Sequence, residues 1–459
     1  MRTRIFIILI AAALISLQFC LVPAICDEPS TTTAPAPAVS PAAPTTPATP
    51  AAPVAVEAAK PQAIEITPDT QIFKRTPKID GTIEDGEWDT YYILNSDGID
   101  TTTYADWDSQ NLYLAVKANK PVDLLALLDA NADGWLNGED NYQFEIIKGA
   151  LSLSRYDSRH SRTAAPVAAT PAEATMVEVR SGTANGMNVI EMRIPADLIR
   201  GFKLSAERKI GLLLSVKPAD ATDWIPSSAP GDTRECTLVT KKIVSLKPLD
   251  LGFDLRYPRI ARGEELVAKF HMTNIGAETV DAQTFVIAGE GKSGEYLNSE
   301  KIRMDGLAPR KHLAHDVRSI IPMDMPLGSW ALGAEVKSGD KRLGGALVSF
   351  DVVEPFEIEL NVPDRSVKAD VKDVTIGVVI TNNMRHSVRG DAKITLPVGW
   401  ELWKDSDKRD FAVSGEAISS VTFKAKPPLG ALGNVPVKVD VTINGKTVSA
   451  EGKFNVVNP

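Results

Sequence analysis

Cysteine and histidine are scarce in this sequence. Its 459 residues include only three cysteines, Cys20, Cys26 and Cys236, and five histidines. Loss of an N-terminal leader would leave Cys236 alone, which excludes a framework of disulfides within the mature chain. The sequence also lacks a His-Glu-x-x-His motif, a phosphate loop of the Gly-x-x-x-x-Gly-Lys-Ser/Thr type and a Gly-x-Ser-x-Gly motif. We therefore predict a protein that is not an enzyme.

Clustered positive charge and long hydrophobic runs are also missing from most of the chain. The formal net charge is −9, and no basic stretch stands out, which disfavours nucleic acid and anionic membranes as partners. After the N-terminal leader no apolar run is long enough to span a bilayer. Membrane contact is therefore expected only through an N-terminal anchor. The length of the chain indicates about three domains.

Residues 1–26 have the features of a secretory signal peptide. Arg2 and Arg4 precede a long apolar stretch, and small residues follow it near a cleavage site. A retained membrane anchor is the alternative, and lipidation at Cys20 or Cys26 stays open.

Residues 27–63 repeat Ala, Pro, Thr and Ser, and this composition predicts a disordered linker. Such a segment has too few apolar side chains to offset the entropy that folding would cost. Export without disulfides indicates a bacterial protein that is secreted or held at the cell surface or in the periplasm.

Short segments of alternating apolar and polar residues dominate the rest of the chain. Leu112, Leu114 and Val116 alternate with other residues, as in a strand with one buried face. Asn185-Gly186 is a strong signal for a two-residue hairpin turn. Many short strands separated by turns predict an all-β protein whose head, residues 64–246, is a β-sandwich.

The C-terminal half contains an internal repeat. Pro326-Leu327-Gly328 recurs about 100 residues later as Pro428-Leu429-Gly430. This spacing is the size of an immunoglobulin-like β-sandwich. We predict two such modules in tandem, residues 247–354 and residues 355–459.

A twelve-residue loop in the head has the ligand spacing of a calcium site. Side chains with oxygen atoms occupy positions 1, 3, 5, 9 and 12, a glycine occupies position 6, and position 7 would offer its carbonyl. The alternating residues after the loop predict flanking strands rather than the helices of an EF-hand. Two alternatives stay open: a polar turn without an ion, and Glu139 as the source of the last oxygen. The predicted Ca²⁺ ligands are Asp129, Asn131, Asp133, Trp135, Asn137 and Asp140.

Three tryptophans of the head are candidates for carbohydrate binding. An indole ring offers a flat apolar face to the C–H groups of a pyranose, while nearby Asp and Asn side chains bond to its hydroxyls. Trp88 and Trp107 lie among tyrosines, and Trp224 lies in a late loop. The alternative is that these rings pack the core. The predicted partner is accordingly a glycan or polysaccharide.

The order of motifs in the head resembles the family 9 carbohydrate-binding modules and the wider DOMON-like β-sandwiches. The resemblance lies in Lys78-Ile79-Asp80-Gly81, in Tyr104-Ala105-Asp106-Trp107-Asp108 and in Asp133-Gly134-Trp135 with Asp140-Asn141-Tyr142. It implies a β-sandwich with structural calcium and, in some members, a sugar held between tryptophans. Other DOMON-like members bind haem through Met or His.

The last module is similar to the immunoglobulin-like domains at the C-terminus of some secreted α-galactosidases, where they are accessory. The similarity rests on Val379-Ile380-Thr381-Asn382-Asn383 and Leu396-Pro397-Val398-Gly399-Trp400. The predicted function is that of a secreted, non-catalytic carbohydrate-binding protein with a calcium-stabilised head. A structural or adhesive cell-envelope protein without sugar binding is the first alternative. A haem-binding protein is the second, with His160 as the head's single histidine.

Overall fold

Strands make up almost all of the regular structure in the computed structural model of this chain. The structure describes residues 69–96, 98–134, 138, 140–156, 166–199, 201–226, 232–244, 247–281, 283–338, 341–403 and 406–458. They belong to one compact unit, Ala63–Pro459. The predicted signal peptide and linker lie outside the described residues, as do Trp135, Asn137, Glu139 and His160. The predicted all-β fold is confirmed.

The described residues of the head form twelve strands, one helical turn and one 3₁₀ turn. Its strands are β1 Gln71–Lys74, β2 Thr90–Ser96, β3 Ile99–Trp107, β4 Asn111–Ala118, β5 Val122–Asp129, β6 Asn141–Ile147, β7 Ala150–Arg155, β8 Val167–Ala168, β9 Glu178–Ala184, β10 Met187–Pro195, β11 Lys209–Pro218 and β12 Arg234–Val239; the helix α1 is Pro171–Ala174 and the 3₁₀ turn is Ala196–Leu198. The sheet order is β8-β7-β6-β5-β11-β12-β1-β3-β4-β10-β9, with β2 paired to β3.

This sheet curls around a single large hydrophobic core that extends from Ile72 to Leu238. The hydroxyl of Tyr91 donates to the carbonyl oxygen of Leu212 at 3.2 Å, and that of Tyr92 donates to Leu214 at 3.0 Å. These bonds connect β2 to β11 across the core, so the buried tyrosine hydroxyls have acceptors.

The predicted Asn-Gly hairpin turn joins β9 to β10. Asn185 and Gly186 have φ values of 52° and 77°. Two consecutive positive φ values are typical of a type I′ turn, whose twist matches that of the strands it connects. The sequence signal is therefore confirmed.

The middle module consists of two sheets packed around a core from Leu249 to Val352. Its elements are β13 Lys241–Val244, β14 Leu249–Leu255, β15 Arg259–Ala261, β16 Glu265–Asn274, β17 Gln283–Gly289, the 3₁₀ turn Gly291–Glu295, β18 Glu300–Met304, β19 His312–Ile320, β20 Gly328–Ser338 and β21 Lys341–Val353. One sheet has the order β13-β21-β20-β17-β18 with β15 paired to β21, and the other has the order β14-β16-β19.

The last module repeats this arrangement around a core from Val374 to Val456. Its strands are β22 Phe356–Asn361, β23 Val367–Lys368, β24 Val374–Asn382, β25 Val388–Thr395, β26 Glu401–Leu402, β27 Lys408–Val413, β28 Ala417–Lys426, β29 Gly433–Ile443 and β30 Lys446–Val457. The sheets have the orders β23-β30-β29-β25-β27 and β22-β24-β28-β26. The weak sequence repeat is thus a repeat of strand order.

One asparagine in the middle module and one in the last module show why part of the repeat is visible in the sequence. Asn274 and Asn382 are fully buried at the ends of β16 and β24. In both, the side-chain nitrogen donates to two backbone carbonyls and the side-chain oxygen accepts the N–H two residues downstream. Each amide therefore closes the same kind of turn. A side chain that lacked either the donor or the acceptor would leave backbone groups of this turn without a hydrogen-bond partner.

The head and the middle module are joined by polar and apolar contacts. Lys74 pairs with Asp351 at 2.7 Å, and the backbone N–H of Thr76 donates to Ser329 O at 2.9 Å. Phe73 packs with Val239, Ala331 and Leu347. The strand β13, within the predicted bounds of the head, pairs with β21 of the middle module.

No helix in the described part of the chain is long and apolar enough to cross a membrane.

Candidate calcium loop and aromatic sites

The candidate calcium loop connects two antiparallel strands of the head, β5 and β6. Asp129 ends β5 and lies opposite Asn141, the first residue of β6. On its other side Asp129 lies opposite Gly211 of β11. A Cβ at that glycine would lie 2.9 Å from the Cβ of Asp129, so only glycine leaves room for this side chain. Strands rather than helices flank the loop, as predicted.

Three described side chains at the inner end of the loop have polar atoms without partners among the described residues. Asp129 is 1% exposed. Its Oδ2 accepts the N–H of Gly134 at 2.9 Å, while its Oδ1 is buried without a donor among the described residues. Oδ2 of Asp140 and Oδ1 of Asn141 are likewise buried without a donor among the described residues, and Nδ2 of Asn141 is buried without an acceptor. Burial is the main cause that raises the pKa of Asp129 and of Asp140, and neighbouring carboxylates add to it.

The outer end of the loop is exposed and is held by local hydrogen bonds. The Oδ1 of Asn131 accepts the N–H of Asp133 at 2.9 Å, and its Nδ2 donates to Oδ2 of Asp133 at 3.2 Å. Gly134 has a φ of +77°, a conformation that glycine adopts without strain. The turn predicted for position 6 is therefore present.

A hard divalent cation fits the residues at the inner end of the loop. Carboxylate oxygens without donors are costly in a buried place, and calcium prefers such oxygens together with amide and carbonyl oxygens. Asp129 and Asp140 would hold the ion, with Asn131 and Asp133 on the outer side. Among the described residues, no group of three or more His, Cys, Asp or Glu side chains lies close enough together to hold a metal ion. A site here would therefore depend on amide and backbone oxygens as well as on carboxylates.

Trp88 and Trp107 lie inside the protein, which corrects the expectation that their rings face a sugar. Trp88 is 5% exposed and packs edge-to-face on Tyr113, with ring centroids 6.4 Å apart. Trp107 is 2% exposed, and its Nε1 donates to the carbonyl oxygen of Ile72 at 3.0 Å. Neither ring offers a face to solvent, so the alternative of core packing applies to both.

Trp224 is half-buried and is the one predicted sugar-binding tryptophan with accessible ring surface. It packs over Leu125, Leu127 and Leu213 on the outer face of β5 and β11. The Nζ of Lys217 lies 4.9 Å from the centroid of its ring. The ring thus shields an apolar patch on one side, and a cation covers part of its surface.

The sequence motifs gave no indication of a pair of accessible aromatic residues in the middle module, Tyr296 and Trp330. Their ring centroids are 5.6 Å apart with an interplanar angle of 71°. The internal repeat contains a signal for this pair. Trp330 lies opposite Phe350 in the middle module, whereas Val435 occupies the matching place opposite Phe454 in the last module. The large ring therefore occurs only in the module that adjoins the head.

No protein-family model matches the sequence, and comparison with curated proteins yields no match. Among solved structures, a red sea bream transglutaminase is 11% identical with a TM-score of 0.27, over 74% of this chain and 57% of that one. Escherichia coli alpha-2-macroglobulin activated by porcine elastase is 11% identical with a TM-score of 0.22, over 78% of this chain and 33% of that one. The chain thus spans less than two thirds of either protein.

A third similar structure is a family 9 carbohydrate-binding module from Caldicellulosiruptor kristjanssonii in complex with cellotriose. It is 15% identical to this chain with a TM-score of 0.27, over 37% of this chain and 93% of that one. At TM-scores this low, none of the three similarities supports a conclusion about fold or function.

Proposed function

We propose that this protein is an exported, non-catalytic glycan-binding protein whose head is stabilised by a calcium ion. The proposal combines two parts that can be tested separately. The first is a cation in the loop between β5 and β6. The second is a sugar ligand, which follows from the resemblance of the head's motifs to the family 9 carbohydrate-binding modules.

The observation that carries the proposal is a buried carboxylate oxygen without a donor among the described residues, one on Asp129 and one on Asp140, the first and last residues of the loop. The charges of Asp129 and Asp133 add to burial in raising the pKa of Asp140, and a cation beside these carboxylates would offset that repulsion. The loop that holds them is also the most specific motif behind the resemblance of the head. A calcium ion there would support the kinship from which glycan binding is expected.

Calcium should stabilise the folded head by mass action. An ion that binds only the folded state adds about 2.7 kcal/mol at a hundredfold excess over its dissociation constant. We expect Ca²⁺ to raise the melting temperature of the full chain and a chelator to reverse the increase. The Asp129→Asn variant should lose most of this response, whereas Asp220→Asn, at an exposed site, should retain it. Equal melting with and without the ion would contradict the calcium part.

Glycan binding should be tested on the full chain with an array of oligosaccharides, followed by calorimetry on the sugars that bind. We expect saturable binding of at least one class of oligosaccharide. Failure to bind any sugar, with the calcium response intact, would leave a calcium-stabilised structural protein.

A specific observation favours that structural role as the second candidate. Ion pairs join the three modules in sequence. Lys74 and Asp351 connect the head to the middle module at 2.7 Å, and Arg385 of the last module pairs with Glu264 of the middle module at 2.5 Å. Partly buried pairs of this kind fix the orientation of neighbouring domains more than they add stability.

A further inference from the structure

A cleft of about 500 Å³ lies between the head and the middle module. One wall is formed by residues 75–87 of the head, and the other by residues 290–296 and 326–331 of the middle module. Its volume lies within the range of about 300–1,000 Å³ that is typical of small-molecule sites, which often occur between domains. Neither the sequence motifs nor the proposed function assigns a role to it.

The middle module contributes an aromatic wall to this cleft. Tyr296 and Trp330 line it, and both rings are half-buried. The Nε1 of Trp330 donates to the carbonyl oxygen of Pro326 at 2.9 Å, which fixes the orientation of the indole. A ring held in this way needs no reordering when a ligand stacks on it, and aromatic side chains combine a large apolar face with little entropy to lose.

The head contributes a buried donor without an acceptor. Arg75 lines the cleft and is 7% exposed. Its Nη1 donates to the carbonyl oxygen of Gly86, but its buried Nε has no acceptor among the described residues. The guanidinium beside the cleft therefore has donor capacity that the described residues do not use, which suits a ligand with oxygen acceptors.

The charges around the cleft nearly cancel. Its lining includes three cationic and four anionic side chains. Several of them are paired across the cleft: Lys292 of the middle module lies 3.1 Å from Glu87 and 3.5 Å from Glu84 of the head. A strongly charged ligand would have to disrupt these pairs, whereas a neutral ligand rich in hydroxyl groups would not.

The two walls are held in a fixed relation by backbone contacts. The N–H of Ser329 donates to Oγ1 of Thr76 at 2.8 Å. Gly86 and Gly291, with φ values of 73° and 56°, approach so closely that a Cβ on Gly291 would overlap the carbonyl oxygen of Gly86. The cleft is therefore formed before any ligand arrives, which reduces the entropy lost on binding.

We propose that this cleft is the binding site for a neutral oligosaccharide, with a pyranose stacked on Trp330 beside Tyr296 and its hydroxyls directed toward Arg75 and the neighbouring carboxylates. This proposal rests on the proposed glycan-binding function and moves its site from the head alone to the junction of two modules. The sugar would then be held only when the head and the middle module are packed together.

The test compares variants of the full chain with a panel of neutral oligosaccharides built from glucose, xylose, mannose or galactose. Calorimetry should show that Trp330→Ala weakens the binding of the sugar that the wild type prefers by at least about tenfold, in line with the loss of one stacking ring. Trp330→Phe should retain part of the affinity. Trp403→Ala, which removes a 58% exposed indole in the last module, is the matched control and should leave the affinity unchanged.

Each outcome decides a separate question. Unchanged affinity in a folded Trp330→Ala variant overturns the cleft while the proposed function stands, and loss of binding in Trp224→Ala or Trp403→Ala would do the same. Absence of any oligosaccharide binding by the wild type overturns both.

If Trp330→Ala fails to fold, Tyr296→Leu takes its place with the same expectation. In a competition experiment, we expect a second oligosaccharide to displace the bound sugar and a neutral peptide not to displace it. Displacement by the peptide but not by the oligosaccharide would contradict a glycan ligand.

Discussion

Glu191 predicts an unusual pH dependence for the stability of the head. This residue of β10 has no exposed surface, and its Oε2 accepts the N–H of Asp80 at 2.9 Å and that of Gly81 at 2.6 Å. Its Oε1 has no donor among the described residues. Burial is the largest cause that raises its pKa from 4.5 to about 7, and the charges of Asp80 and Glu87 raise it further, while the two N–H groups lower it.

The sign of the effect follows from proton binding. Between pH 4.5 and about 7 the folded head keeps a proton on Glu191 that the unfolded chain releases. The resulting stability is fully present below pH 4.5 and is lost as the pH rises through about 7. The difference in pKa corresponds to at most about 3 kcal/mol, because a tenfold change in proton affinity is worth about 1.4 kcal/mol. Asp80 does not interfere, since its hydrogen bond from Lys78 is the main cause that lowers its pKa to about 2.

Urea unfolding of the wild type and of Glu191→Gln, followed by tryptophan fluorescence between about pH 4 and pH 8, measures this contribution. Glutamine has the shape of the protonated side chain but does not titrate. The variant should match the wild type at the acidic end and exceed its free energy of unfolding by up to about 3 kcal/mol at the basic end. A difference between the two proteins that stays constant over this range would refute the reasoning.

Two further predictions concern the tryptophans and the calcium loop. Trp88→Ala should lower the free energy of unfolding by about 3–5 kcal/mol through the cavity it leaves. A folded preparation of this variant should keep its sugar affinity. A selective loss of affinity would contradict the placement of this ring in the core. Gly211→Ala should weaken Ca²⁺ binding by about tenfold or more in calorimetry, because the added methyl group displaces the Asp129 carboxylate; unchanged affinity would show that Asp129 does not bind the ion.

Local patterns in the sequence predicted most of the fold. The alternation of Leu112, Leu114 and Val116 reflects the two faces of a strand, a property of the extended backbone itself. The turn at Asn185-Gly186 reflects φ angles that few residues adopt. The alternating residues after the loop that begins at Asp129 predicted that strands flank it. These features need only a few neighbouring residues, so the sequence displays them directly.

The tertiary structure alone decided which aromatic rings are accessible and where charges are buried. Residues 77–88 fold back over β4 and β10, which hides Trp88 and encloses Glu191 in a place that raises its pKa. Residues as distant in sequence as Arg75 and Trp330 meet in the cleft because two modules pack against each other. An alternating pattern specifies that a side chain lies on one face of a strand, but it does not specify which segment covers that face. Burial and convergence are properties of long-range packing, and for this reason they became visible only in the folded chain.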